Sequence, residues 1–99
     1  MDNEPVTQEP DTQSSGNALV DLGLSPEEAA LLSMRAMLMD QLRTTIKEHG
    51  WTQAEAARIF GVSQSRVSDL VRGKWERFSI DMLVMLACRA GKWPRLIFA

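Results

Sequence analysis

Apolar residues recur at helical spacing in four stretches of the chain, and Gly or Pro punctuates each boundary. The first stretch opens at Ser25-Pro26-Glu27-Glu28. Ser25 can cap the free amides, Pro26 suits the first helical position, and Glu28 can close a capping box back onto Ser25. No Gly or Pro follows until Gly50, so the pattern predicts one long helix to about Glu48. Leu31, Met34, Leu38, Leu42 and Ile46 fall along one stripe of it. Its front half is greasier than one stripe requires, since Ala29, Ala30, Leu32, Ala36, Met37 and Met39 cover other faces. Either a second contact, with another chain, or extra burial within the monomer would account for that surplus.

Thr52-Gln53-Ala54-Glu55 is a second capping box, and it opens a helix that Gly61 ends after about eight residues. Val62 follows, and Ser63 caps a third helix that runs to about Arg72 and stops at Gly73. A basic loop, Lys74-Trp75-Glu76-Arg77, leads to Ser79, the cap expected for a fourth helix from Ile80 to Ala90. Met82, Leu83, Leu86, Ala87 and Ala90 form its apolar face, and Gly91 ends it. Pro94 keeps that helix from continuing, and Arg95-Leu96-Ile97-Phe98 is β-like in composition. The expectation is an all-α fold of about four helices with a short extended C-terminal segment.

The second and third helices, separated by a Gly turn, have the form of a helix-turn-helix over about residues 53–72. Ala57 is small enough for the third helix to cross close over the second, and Gly61 permits a positive backbone angle at the turn. Ala56, Phe60, Val62, Val67 and Leu70 would plug the pair onto the core. An ordinary helical hairpin would meet the same core demands, so the functional evidence lies in what remains outside. With Val67 and Leu70 inward, Gln64, Ser65, Arg66, Ser68 and Asp69 are left on the exposed side of the third helix. In the major groove Gln can bond adenine, Arg guanine, and Asp the amino group of cytosine. Gln53, Arg58, Arg72, Lys74 and Arg77 frame this face and are candidates for phosphate contacts.

Overall charge obscures this reading until it is divided. The formal net charge is −2, yet residues 1–40 carry −7 and residues 41–99 carry +5. The half that holds the motif is therefore basic, as a nucleic-acid binder requires. Residues 1–24 are expected to be a disordered acidic tail, because Met1 to Gly16 contains two Pro, four acids and only Val6 as an apolar residue after Met1. The tail lacks the basic start and apolar stretch of a secretory signal. No window offers the ~18 uninterrupted apolar residues of a membrane helix, so no membrane partner is expected. Cys88 is the only cysteine, which excludes an internal disulfide and a cysteine metal cluster. Its expected place is a packed helix face, and the expected compartment is a reducing cytoplasm.

The run Thr52-Gln-Ala-Glu-Ala-Ala-Arg-Ile-Phe-Gly-Val-Ser-Gln-Ser-Arg-Val-Ser-Asp-Leu70, with Arg72-Gly73-Lys74, resembles the Xre family of lambda- and Cro-like repressors. The long helix after Ser-Pro-Glu-Glu and the Phe78-Ser79-Ile80-Asp81 segment resemble a subgroup often found as Hig-type antitoxins, so the likeness covers about residues 20–99. The resemblance implies a lambda-repressor-like fold over residues 25–99, a phosphate contact for Gln53, and base reading at Gln64 and Ser65, with Arg66 and Asp69 as candidates. Two departures stand out. Lambda-type repressors close with a fifth helix, for which this chain offers only Lys92 to Ala99, and Pro94 limits the strand with which the antitoxin-like subgroup tends to end.

The expected function is sequence-specific binding of double-stranded DNA as a homodimer that represses transcription. The alternative is an antitoxin that neutralises a small RNA-cleaving toxin protein through its N-terminal half and autoregulates its operon. No enzyme is expected, because no nucleophile has a plausible base, no Gly-rich phosphate loop is present and no carboxylates pair in an apolar setting. No cofactor or metal is expected either. His49 suits the negative end of the first helix, and Trp51 is expected to pack over that helix end. Trp75 either packs under its loop or meets a sugar-phosphate strand.

Overall fold

The computed structural model describes residues 21–98. Its order is α1 (Pro26–His49), α2 (Gln53–Phe60), α3 (Gln64–Val71), a 3₁₀ turn (Trp75–Arg77) and α4 (Ile80–Arg89). No strand occurs among the described residues, and no helix among them is long and apolar enough to cross a membrane. The fold is all-α, as the periodicity requires. The chain divides into two compact units between Met34 and Arg35, within α1. Of the expected acidic tail, residues 1–20 lie outside the described part.

In the first unit the capping box forms as read from the sequence. The Glu28 amide donates to Ser25 Oγ at 3.1 Å, and the Ser25 amide donates to Glu28 Oε1 at 2.9 Å. That backbone hydrogen bond, with help from the Ser25 hydroxyl, holds the Glu28 carboxyl below the usual carboxylate range. Ala29 is buried, whereas Leu22 and Leu31 are 79% and 47% exposed.

The second unit holds the core. Met39, Leu42 and Ile46 from α1 meet Ala56, Ala57 and Phe60 from α2, Val67 and Leu70 from α3, Phe78, and Leu83, Leu86 and Ala87 from α4. Leu38, Trp51, Ile59, Val62, Met82 and Ala90 pack around them half-buried. Met39, assigned by periodicity to the surplus, is a central core residue, while Met37 stays exposed. Trp51 covers the end of α1 as expected, stacked on His49 at 4.5 Å and edge-on to Phe60 at 6.2 Å. Cys88 departs from expectation, because Leu83, Leu86, Ala87 and Ala90 fill the buried face of α4 and leave Cys88 a step round the helix, exposed. Residues 92–98 form neither helix nor strand, so the β-like composition after Pro94 is not realised as a strand.

Candidate nucleic-acid interface

The geometry of the α2–α3 pair is set by caps. Thr52 and Glu55 complete a reciprocal capping box at the start of α2, with bonds of 2.8 and 3.1 Å. At its far end Gly61 sits in the left-handed region at φ 70°, and the Val62 amide returns to the Ala57 carbonyl at 3.0 Å. Ser63 then caps α3 by accepting from the Arg66 amide at 3.1 Å. One residue in the left-handed region, followed by a side-chain cap, thus ends α2 and starts α3 within three positions. The Phe60 carbonyl, at the end of α2, accepts from Arg89 Nη1 at 2.7 Å, which ties α2 to α4 by a charge-assisted bond.

Val67 and Leu70 anchor α3 with 0% and 1% exposure, and this fixes which side of the helix faces outward. Gln64 and Ser65 are exposed in its first turn, while Ser68 and Asp69 are half-buried farther along. Arg66, half-buried, makes a contact that helical spacing does not reveal. Its guanidinium donates through Nη1 to the Arg77 carbonyl at 2.7 Å and stands 5.5 Å from the centre of the Phe78 ring. That bond is exposed to solvent and is made by one arm of the guanidinium. Through it Arg66 is a strut between α3 and the turn that follows it.

Among the residues expected to meet phosphates, Gln53, Arg58, Arg72 and Arg77 are exposed and Lys74 is half-buried. Three of them are gathered at the end of α3 by its closing bonds. The Arg72 amide donates to the Ser68 carbonyl at 3.0 Å, and the Lys74 amide donates to the Asp69 carbonyl at 3.0 Å. Gly73, at φ 74°, makes this hook possible. The 3₁₀ turn then carries Arg77 back toward α3, where its Nη1 lies 3.8 Å from Asp69 Oδ2.

Two further cations, not identified from the sequence, belong to this region. Arg43 of α1 approaches the loop so closely that a Cβ on Gly73 would lie 3.0 Å from its Nη1. Arg35 of α1 stands 5.9 Å from the centre of the Trp75 ring. Periodicity places both residues near the core edge of α1, but a contact made 30 or more residues along the chain leaves no local signal. Trp75 itself combines packing with exposure: it meets Arg35 yet keeps 42% of its surface open.

The assembled site is an exposed polar first turn of a rigidly anchored helix, bordered by arginines and a lysine. It can bond base edges at its centre and phosphate oxygens at its margin. A family model described as a helix-turn-helix domain matches residues 18–93. No curated protein and no solved structure matches the chain.

Proposed function

The chain belongs to the helix-turn-helix domain family, and on the premise that it is a DNA-binding regulator we propose that it acts as a sequence-specific repressor, binding double-stranded DNA as a homodimer. The observation that carries the reading is the exposed first turn of α3, Gln64 and Ser65, on a helix whose opposite side is fixed by Val67 and Leu70. Gln64 and Ser65 read base edges, with Ser68 behind them. Gln53, Arg58, Arg72, Lys74 and Arg77 hold the flanking phosphates. One helix of this length offers few base contacts. Two of them, about 34 Å apart across a dimer, match one turn of DNA and double those contacts. Repression follows from occupying a promoter; no catalytic step is involved.

Selection from a pool of random duplexes tests this directly, since the reading requires enrichment of a two-fold symmetric sequence. Recovery of an asymmetric site would remove the dimer, and recovery of no consensus would remove sequence reading. Salt dependence supplies a further expected result. With about four to six phosphates neutralised per dimer, the log–log plot of affinity against salt should have a slope of about −4 to −5. Lys74→Ala should weaken binding to all sequences alike and flatten the slope by about one for each copy bound. Fluorescence anisotropy across a salt series checks both.

A second reading, partner neutralisation as an antitoxin, is supported by Leu22 and Leu31 in the first unit, apolar side chains left 79% and 47% exposed. Each of these side chains would gain by burial against a partner. On this reading, Leu22→Glu with Leu31→Glu abolishes retention of the neighbouring gene's product in a pull-down and leaves DNA binding intact. If the same variant sediments as a monomer and loses DNA affinity, those residues serve dimerisation instead.

A further inference from the structure

The pair formed by Asp69 and Arg77 sits oddly in a surface meant for DNA. Asp69 places a carboxylate on α3 itself, where approaching phosphates repel it, and its side chain is only 21% exposed. Arg77 is 58% exposed and extends from the 3₁₀ turn to within 3.8 Å of that carboxylate, too far for a good hydrogen bond. Its main chain, in contrast, is clamped: the Arg77 carbonyl accepts from Arg66 at 2.7 Å, and the Arg66 guanidinium is seated against Phe78 and 3.9 Å from the Met82 sulfur. The turn is thus fixed while the guanidinium at its tip is held by one loose, exposed ion pair.

We propose that Asp69 is a specificity-determining gate on Arg77: it neutralises the arginine in the free protein and in loose encounters, and yields it to a phosphate only when α3 is seated in the groove. This rests on the DNA-binding reading above. Loose encounters with random duplex are driven by summed charge at a distance, and to that field a paired Arg77 contributes little. In the seated complex a phosphate oxygen can accept from the guanidinium at short range, and a bidentate charge-assisted contact wins over a 3.8 Å surface pair. Asp69 therefore lowers affinity for non-cognate DNA more than for cognate DNA. The Arg66 strut matters because an exchange between two partners requires the backbone of Arg77 to stay in place.

The test is a double-mutant cycle of Asp69→Asn and Arg77→Ala, read by anisotropy on the selected duplex and on random duplex, with thermal melting to verify folding. Asp69→Asn should raise affinity for random duplex by about threefold to tenfold and steepen its salt slope, with a smaller gain on the selected site. In the Arg77→Ala background the same substitution should give a clearly smaller gain, since only the direct repulsion between the carboxylate and phosphates is left to relieve. An equal gain in both backgrounds would reduce Asp69 to plain repulsion of phosphates and overturn the gate. Loss of affinity confined to one base pair of the selected site would make Asp69 a base reader, which also overturns it. Failure of all four proteins to bind any duplex would instead bring down the DNA-binding reading, and the gate with it.

Discussion

Phe60→Ala should remove much of the domain's stability and weaken binding to every duplex alike. Phe60 has 0% exposure, sits among core residues from all four helices, and receives the edge of Trp51. Replacing a buried Phe by Ala typically costs about 3–5 kcal/mol, part from lost burial and part from the cavity. A domain of this size has a net stability of only about 5–10 kcal/mol, so the loss takes much of it. Each kcal/mol moves the midpoint of a small domain by about 4–8 °C, which puts the expected fall well above ten degrees. Because Phe60 immediately precedes the Gly61 turn, the loss falls on the geometry of α2 and α3 first. Thermal melting by circular dichroism checks the stability, and anisotropy on specific and random duplex checks the uniform loss. A midpoint unchanged within a few degrees would mean that the core is not built around this ring.

Gln64→Ala should behave in the opposite way. Gln64 is exposed and follows the Ser63 cap, so its side chain is not needed by the fold. Its loss should leave melting unchanged and cost about 1–3 kcal/mol per half-site on the selected duplex, with almost no effect on random DNA. Two half-sites make the expected loss for a dimer at least tenfold. Equal weakening on both kinds of duplex would mean that Gln64 holds the backbone, and the base-reading position would have to lie elsewhere on α3.

These two residues also mark what was legible in the sequence. Phe60 and Gln64 could be sorted by position because local signals surround them: the Thr52–Glu55 box, Gly61 and the Ser63 cap each act within a few residues. The same locality explains the accurate reading of where α1 begins, through Ser25 and Glu28. What was lost depends on distance along the chain. Arg66 looked free because helical spacing says nothing about the carbonyl of Arg77, eleven residues farther on. Arg43 beside Gly73 and Arg89 on the Phe60 carbonyl were hidden for the same reason. The apolar stripe of α1 showed a different failing. Periodicity identifies an apolar face but not how far along it the core extends, so Leu31 on that stripe is exposed and Met39 beside it is buried. Cys88 was misplaced by a general tendency of cysteine toward burial, against the closer evidence of Leu83, Leu86 and Ala87.

On the proposed function, α3 and the loop behind it form the surface that meets DNA. Amide chemical-shift mapping of the labelled full chain, titrated with a selected duplex, tests it most directly. The largest changes are expected at Gln53, Arg58, Gln64 to Asp69 and Arg72 to Arg77, with the amides of Glu27 to Met34 little affected. Changes centred on the first turns of α1 or on residues 92–98, with α3 silent, would contradict it.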